Sequence, residues 1–415
     1  MASFWRPTAE RIVYRVAGLP IALLWFGPAG DDSSDPLQAA FAWRYWHPSG
    51  MGEWSELVTA MLVWPIAVLL AALWFSAKNG AVVRRRYGKP LTKQFLEQLR
   101  FYFSAGVLPP WYYIFSLHDA GDRRALTFIQ RFETKPCYFP LLKPRKGSPL
   151  NDKARFADYC TQHGIRCVRT LIHLKGEHPG TPLPDKDLFV KPCTGRGGRG
   201  AERWDRIAPR TYANTCGEQL TGRQLLERLI ARSRQEPLIV QLRMRAHRDL
   251  LSLTAGALPT IRVLTCLNAE HEPEVMAAML RTSFGHNVTV DNLHAGGIGA
   301  LVDLESGHLS RSSNIGSDAR LGWFSTHPDT GSAIEGRAVP LWSEAKSLAI
   351  GAHREFNDRI AIGWDVAILD DGPIIVEGNG NPDLDILQRF MRVGLRDHRF
   401  ADLLAYHLRK KRTAA

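Results

Sequence analysis

Two apolar runs that flank an Asp-Gly dipeptide constrain the fold of this chain more than any other feature, because they fix a β-hairpin and its register. The segment reads GWDVAILDDGPIIVEGN, and its Asp371–Gly372 pair favours a tight turn. A loop from Asp370 to Gly372 places Asp365 opposite Glu377, with Asn379 on the same face as Glu377. Two carboxylates and an amide oxygen suit Mg²⁺. The alternative is a solvent-exposed acidic hairpin, which is disfavoured because the carboxylates lie within apolar strands.

A second motif, DLFVKPCTGRGGRG, places a lysine at the end of an apolar strand, directly before a glycine-rich loop. Glycine lets backbone N–H groups approach phosphate oxygens closely, and the lysine adds a positive charge beside them. The alternative is a flexible surface loop that carries arginines. We predict a phosphate-binding loop formed by Lys191, Gly195, Gly197, Gly198 and Gly200.

Three well-known phosphate sites do not match this loop. A P-loop needs G-K-[ST] at the end of its glycines, which is missing here. A Rossmann loop opens a helix after the first strand of its fold, whereas this loop lies in the middle of the chain. The run from His247 to Leu250 spells the kinase motif H-R-D-L, but Lys191 precedes the glycines, Thr254 replaces the metal-binding Asn and no D-F-G follows.

Beyond residue 130, short apolar runs alternate with helical patterns, which is typical of an α/β or α+β domain. We predict one such domain over residues 130–410. The predicted strands are KPCYFPL, IRCVRTL, DLFVKP, PLIVQLRM, TIRVLTCL, PEVMAAMLRTS, WDVAILD and PIIVEGN.

The N-terminal part is different, because residues 57–77 contain no charged side chain and are long enough to cross about 30 Å of hydrocarbon as a helix. A buried core helix is the alternative, although amphipathic periodicity is absent. The charges that flank this run place the rest of the chain in the cytoplasm by the positive-inside rule. They are Glu53 and Glu56 before the run, and Lys78, Arg84, Arg85, Arg86 and Lys89 after it.

Residues 1–80 are therefore predicted to be an inner-membrane anchor of one or two helices. The second candidate, Val16–Gly30, is shorter, contains two prolines and follows three arginines, as in a signal sequence or a marginal first span. Residues 81–129 are predicted to form a helical, aromatic-rich connector. Its aromatic segments suit either a membrane interface or packing against the following domain.

The charge balance favours an anionic partner, since Lys and Arg number 53 against 41 Asp and Glu. Nucleotide phosphate, an acidic membrane surface and nucleic acid all fit that charge. The phosphate motif points to a nucleotide, and no nucleic acid partner is expected. The six cysteines form no C-x-x-C pair, so neither a zinc site nor a disulfide framework is indicated.

The order of these motifs resembles that of the ATP-grasp superfamily, and more narrowly its sugar-transfer-associated group, related to α-L-glutamate ligase-like proteins. The resemblance covers about residues 130–395. It implies an α+β fold in which two α/β lobes clasp ATP, here preceded by an N-terminal helical membrane segment. The matching features are Lys153, Lys191 before its glycines, Val240 with Gln241, Arg262 within TIRVLT, and the D…E-x-N ending.

The resemblance also implies roles for individual residues, with ATP and two Mg²⁺ ions as cofactors. Lys153 and Lys191 would contact phosphates, and Gly195 to Gly200 would form a mobile lid. Arg262, with Lys191, would act in catalysis by neutralising the transferring phosphoryl group. The hinge beside adenine would be Gln241 and Leu242, and the metal ligands Asp365, Glu377 and Asn379. The hinge reads QLRMR, without the acidic residue that typically binds ribose.

The implied chemistry is attack of a substrate carboxylate on the γ-phosphate, followed by capture of the acylphosphate by an amine. The substrates would be small or saccharide-linked. We expect the segment SFGHNVTVDNLHAGGIGALVD to bind the acceptor, although His286, Asp291 and His294 could instead form a metal cluster. The candidate substrate residues are Arg281, Asn292, His294, Gly296 and Gly297.

Three functions remain open on the sequence. The first is a membrane-anchored carboxylate–amine ligase that acts on a cell-envelope or saccharide-related substrate. The second is a phosphotransferase that stops after phosphorylation. The third is a membrane-tethered nucleotide-binding protein without catalysis.

Overall fold

The computed structural model describes most of the chain from residue 50 onward. The described residues are 37, 39–41, 50–119, 125–142, 148–195, 197–285, 288–317, 319 and 322–413. The predicted second apolar helix, Val16–Gly30, lies outside them. Within them, a helical N-terminal segment precedes two antiparallel sheets of six strands each.

Helix α1, Met51–Tyr87, follows from the uncharged apolar run. It continues past residue 80, the predicted end of the anchor, and stops at Gly88, whose φ of 67° is typical of a helix-ending glycine. Arg84, Arg85 and Arg86 occupy its last turn, where positive charge offsets the helix dipole. Among the described residues, its part Met61–Tyr87 is the one stretch long and apolar enough to cross a membrane.

One side of α1 packs on the protein and the other side is open. Trp64 and Val68 are buried in a core shared with the later domain. Leu62, Ile66 and Leu70, spaced four residues apart, are between 60% and 71% exposed. Because residues four apart lie on one face of a helix, they form an exposed apolar stripe.

The aromatic connector packs rather than projecting from the molecule. Helices α2, Leu91–Ala105, and α3, Pro109–Ile114, lie against α1, and residues 111–113 are fully buried aromatics. Gln98 on α2 donates a hydrogen bond of 2.7 Å to Ser76 Oγ on α1. These aromatic residues of the connector are therefore packed within the protein, whereas Leu96 and Phe103 on α2 are exposed.

The strand predicted over residues 135–141 is wrong, because this segment is helical. Two prolines in the run lack the N–H groups that a strand ladder uses. A capping box also starts a helix here, with the Gln130 N–H donating to Glu133 Oε2 at 2.7 Å. The segment comprises α4, Arg131–Glu133, a π-helical turn, Thr134–Tyr138, and α5, Phe139–Leu141.

The first sheet has the strand order β1-β6-β2-β3-β4-β5. Helix α7, Gly222–Ser233, covers one face through an apolar cluster that contains Leu225 and Leu229. Its strands are β1 Ile172–Leu174, β2 Leu188–Pro192, β3 Glu202–Ala208, β4 Thr211–Asn214, β5 Gln219–Thr221 and β6 Leu238–Leu242. The predicted run IRCVRTL forms no strand and contributes only a bridge between Cys167 and Ile375.

The second sheet has the order β10-β9-β8-β7-β11-β12. Every residue of β11 is buried, because helices cover both faces of the sheet. The strands are β7 Thr260–Leu267, β8 Pro273–Thr282, β9 Ile298–Val302, β10 Leu309–Ser313, β11 Ala361–Leu369 and β12 Gly372–Asn379. The remaining helices are α6 Lys153–Gln162, α8 Trp342–Glu355, α9 Leu384–Met391 and α10 Arg399–Thr413. The α+β architecture with two lobes is as predicted.

Candidate active site

The β11–β12 hairpin has the predicted register at its polar end, although its loop length differs from the prediction and a β-bulge interrupts the pairing. Leu369 pairs with Gly372, so the loop contains two residues and not the three predicted. A β-bulge between Asp365 and Val366 then shifts the pairing by one residue. The two differences cancel, and Asp365 lies opposite Glu377.

Asp365 is the centre of a buried ion-pair network. Arg262, directly opposite on β7, donates from Nη2 to Asp365 Oδ2 at 3.1 Å. Arg281 on β8 places its Nη2 2.8 Å from the same oxygen. Burial opposes ionisation of this carboxyl, but the two guanidinium groups outweigh it and hold the pKa of Asp365 at about 2.

The network extends from Arg281 to the predicted acceptor segment. Arg281 is 6% exposed and donates to Thr260 Oγ1 at 2.7 Å. Asp291 Oδ2 accepts from the Thr260 N–H at 3.1 Å and also binds its hydroxyl. Burial opposes the charge of Arg281, yet Asp291 and Asp365 raise its pKa. The contact between Arg281 and the loop that contains Asp291 was not predicted, because the sequence alone does not show how that loop packs against β8.

Lys191 and Glu377 come from different sheets and line the same cleft. Lys191 is 8% exposed, and among the described residues neither its ammonium group nor the Glu377 carboxylate forms a hydrogen bond or ion pair. Burial lowers the pKa of Lys191, and the charge of Glu377 opposes that shift. Because this buried cation and half-buried anion have no partner in the described part of the chain, they form a site that suits a charged ligand.

The glycine loop adopts a backbone that requires glycine. At Gly198, φ is 70° and an added Cβ would lie 2.8 Å from Val290 Cγ1. Lys153, at the start of α6, donates from Nζ to the Gly195 carbonyl at 3.0 Å. All four predicted glycines, Gly195, Gly197, Gly198 and Gly200, have positive φ.

The predicted hinge lies at the same cleft. Gln241 is buried and donates from Nε2 to the Val168 carbonyl at 3.3 Å, while Leu242 lines the cleft. Arg243 follows, where an acid was expected from the resemblance, and donates from Nη1 to Asp205 at 2.7 Å. Arg203 pairs with the same carboxylate, so two arginines share Asp205 at this end of the cleft.

The acceptor segment divides between the cleft and a second region. Asn292 lines the cleft, and its Oδ1 accepts from the His294 N–H at 2.8 Å. The His294 ring points elsewhere, with Nε2 3.7 Å from Asp383 Oδ2. Gly296 has φ of 96°, and a Cβ on Gly297 would lie 2.6 Å from the Asp291 carbonyl, so this close turn needs glycine.

The cleft gathers most of the predicted residues from both sheets. Those that line it are Lys153, Lys191, Gly195, Gly197, Gly198, Gln241, Leu242, Arg281, Asn292, Asp365 and Glu377. Those outside its lining are Gly200, Arg262, Asn379, His294, Gly296 and Gly297. The lining also contains Arg199, Arg203, Arg243, Thr260 and Asp291, which the prediction did not assign to it.

The protein oxygen donors near β12 are too few to bind Mg²⁺ alone, so a bound ligand would have to supply further oxygens. Within the described ranges, no three His, Cys, Asp or Glu residues lie close enough to hold a metal, and His286 falls outside these ranges. Glu377 and Asn379 share one face of β12, and Asn379 Oδ1 accepts from the Asn381 N–H at 3.0 Å. Because Mg²⁺ commonly completes its shell with phosphate oxygens and water, this sparse set suits a nucleotide-bound ion.

Comparison with solved structures gives weak overall similarity. The D-alanine–D-alanine ligase from Bacillus anthracis complexed with ATP is 9% identical, with 64% of this chain and 68% of that chain covered and a TM-score of 0.37. The ATP-grasp ligase PsnB, complexed with a minimal precursor, Mg and ADP, is 14% identical, with 62% and 59% covered and a TM-score of 0.33.

A third similar structure is the biotin carboxylase domain of Hydrogenobacter thermophilus 2-oxoglutarate carboxylase, which is 12% identical with a TM-score of 0.34. The match covers 63% of this chain and 45% of that one, so this chain spans less than half of the carboxylase chain.

No curated protein matches the sequence. The family model for sugar-transfer associated ATP-grasp proteins, however, matches residues 135–400. Since this match covers well over half of the chain, the protein belongs to the sugar-transfer associated ATP-grasp family.

Proposed function

We propose that the protein is an ATP-dependent carboxylate–amine ligase that forms a C–N bond through an acylphosphate and releases ADP and phosphate. The observation that carries this proposal is the cleft between the sheets. There, among the residues that the structure describes, Lys191 and Glu377 form no hydrogen bond or ion pair, and they lie beside the Arg281–Asp365 pair. Membership of the family supports an ATP-dependent ligase.

The nucleotide would lie along the cleft from the hinge to the glycine loop. Gln241 and Leu242 would contact the base, and Lys191 with Lys153 would bind the phosphates. The loop from Gly195 to Gly200 would close over them, because its positive-φ backbone can present N–H groups to an anion. Arg243 stands where the ribose contact is expected and would donate hydrogen bonds to an oxygen there.

Glu377 and Asn379 would hold Mg²⁺ together with phosphate oxygens, and Asp365 would join them by releasing one of its arginine contacts. Magnesium bound there would neutralise phosphate charge during transfer. The released arginine, Arg262 or Arg281, would then be free to contact the transferred phosphoryl group. Asp365 thus would hold the two arginines in position before the nucleotide binds.

The proposed reaction has two steps. A substrate carboxylate oxygen attacks the γ-phosphorus, the bond to the β-phosphate oxygen breaks, and ADP leaves. The nitrogen of a neutral amine then attacks the acyl carbon, the C–N bond forms, the carbon–oxygen bond to phosphate breaks, and phosphate leaves with the proton that the nitrogen loses. Lys191, Arg262 and Arg281 stabilise the negative charge that moves onto the phosphate oxygens.

We further propose that α1 anchors the protein in the inner membrane, with the cleft facing the cytoplasm. The exposed stripe of Leu62, Ile66 and Leu70 supports insertion, and the three arginines in the last turn of α1 support the orientation. The family description supports a saccharide-related substrate.

The decisive experiment measures ADP release by the full-length protein in detergent micelles, with pooled envelope precursors as substrates. Lys191→Ala and Glu377→Gln should each abolish turnover, whereas Lys186→Ala, which removes an exposed lysine of the same lobe, should not. ADP release that requires no amine and leaves a stable phosphorylated product would favour the phosphotransferase. Turnover that survives both cleft substitutions would disprove the assigned site.

A further inference from the structure

A second group of charged side chains lies where the His294 ring points. It contains Arg131, Lys135, His294, Asp383 and Asp385, and we refer to it as the Asp385 cluster. Its charged side chains are between 10% and 25% exposed, and His294 is 42% exposed. The cluster is therefore mostly buried, and its exposed side is the His294 ring.

The two carboxylates of the cluster are neutralised unequally. Asp383 accepts from Arg131 Nη1 at 2.8 Å and also contacts Lys135 and His294. Asp385 has, among the described residues, only one cation within 4 Å, Arg131 at 3.9 Å. Asp385 is 7% exposed, so its carboxylate is buried with one cation near 4 Å, Arg131, and the Trp111 indole beside it.

The pKa of Asp385 follows from this burial and from its neighbours. Burial and the neighbouring Asp383 raise the pKa of Asp385 to about 6, against the opposing effects of Arg131, Lys135 and the Trp111 indole. A second cation at this position would therefore be stabilised.

The cluster borders the proposed active site. Asp383 directly follows Pro382, whose Cβ would lie 3.1 Å from a Cβ on Gly363, and Gly363 pairs with Asn379. On the other side, the loop that contains His294 begins at Asn292, which lines the cleft. The cluster is thus connected to the β12 end of the cleft through Pro382 and to the cleft lining through Asn292.

We propose that the Asp385 cluster binds the amine substrate, with its primary ammonium group on the Asp385 carboxylate. This inference rests on the proposed ligase function and assigns the acceptor position within it. Asp385 takes one proton from the ammonium group and leaves a neutral amine with a free electron pair. The nitrogen attacks the acyl carbon, the carbon–oxygen bond to phosphate breaks, and the second N–H proton leaves with phosphate.

The test is calorimetric binding of methylammonium and glucosamine to the full-length protein in micelles, with N-acetylglucosamine as the uncharged control. We expect both amines to bind the wild type and N-acetylglucosamine not to bind. Asp385→Asn should weaken amine binding about tenfold or more, because a charged hydrogen bond is lost. Asp385→Glu should restore part of it, and Glu227→Gln, at an exposed acid, should change nothing.

Binding of MgATP is measured in parallel with the same variants. Methylammonium that binds the wild type no more tightly than Asp385→Asn, while both bind MgATP equally, would overturn the acceptor assignment and leave the nucleotide site intact. Failure of the wild type to bind MgATP would instead count against the proposed ligase function. At pH 6 the Asp385 carboxyl is partly protonated, and the incoming ammonium group displaces that proton before any transfer occurs. Titration at pH 6 in buffers of different ionisation enthalpy should therefore show proton release, and this release should vanish in Asp385→Asn.

Discussion

The carboxylate of Asp365 lies 2.8 Å from Arg281 Nη2 while it also binds Arg262, so one buried acid aligns two arginines from neighbouring strands. Arg262 comes from β7 and Arg281 from the neighbouring β8, and of the two only Arg281 lines the cleft. Their alignment depends on Asp365, because two guanidinium groups this close would otherwise repel each other.

Replacing this acid should therefore damage stability as well as activity. Asp365→Asn leaves two buried guanidinium groups without their shared anion, and we expect a loss of about 3–5 kcal/mol in the free energy of unfolding. Urea denaturation, followed by tryptophan fluorescence, would measure this loss. The control is Asp371→Asn at the exposed hairpin tip, and equal stability of the two variants would contradict the network described here.

The two perturbed acids should have opposite effects on stability as pH changes. Asp365 has a folded pKa of about 2, below its ordinary value of 3.8, so its contribution is present above pH 4 and is lost as pH falls toward 2. Asp385 has a folded pKa of about 6, so the folded state binds more protons and stability decreases as pH rises from 4 to 6.

Thermal unfolding of wild type and Asp385→Asn between pH 4 and pH 7 separates these effects. In the wild type, the free energy of unfolding should decrease over this pH range by an amount on the order of 1–3 kcal/mol. In the variant this decrease should be absent. Parallel curves for the two proteins would show that Asp385 titrates normally.

Two glycine substitutions separate the effect of a positive φ from the effect of a steric contact. Gly198→Ala introduces both an unfavourable positive φ and a contact with Val290, whereas Gly217→Ala introduces a positive φ of 85° in open space. We expect Gly217→Ala to cost about 1–2 kcal/mol of stability without affecting nucleotide binding. Gly198→Ala should in addition weaken ATP binding, measured by calorimetry, because the loop must move. Equal ATP affinity in both variants would argue against the loop as a phosphate site.

The exposed stripe of α1 can be tested in membranes. Ile66→Asp places a charge in the middle of the span, at a cost of about 2.5–3.5 kcal/mol for insertion. We expect the variant to shift from the membrane to the soluble fraction in flotation with liposomes, while Ser55→Asp, near the start of the helix, floats like the wild type. If the wild type itself fails to float, α1 does not act as an anchor.

The sequence was sufficient for the local motifs and insufficient for the pairings between them. Asp365 was placed opposite Glu377 from a three-residue loop, and the observed two-residue loop gives the same pairing only because a bulge follows. Bulges depend on strand twist and on the neighbouring strand, which a single sequence does not display. The same limit explains why the ion pairs of Arg262 and Arg281 were missed, since they require the register of three strands.

The error at residues 135–141 has a local cause. Aromatic and apolar residues in this run favoured a strand, but two prolines and the capping box of Gln130 with Glu133 favour helix. The Asp385 cluster could not be predicted either, because Arg131 and Asp383 lie 252 positions apart.

Helix α1 shares its core with the later domain, and Asn79 on α1 donates from Nδ2 to the Ser317 carbonyl at 3.2 Å. With α1 inserted in a bilayer as proposed, such docking sets a constant height for the cleft above the lipid headgroups. Only substrates whose reactive ends project to that height would be processed. For a lipid-linked substrate, the distance between its lipid anchor and its reactive amine or carboxylate would then decide whether the reactive group reaches the cleft.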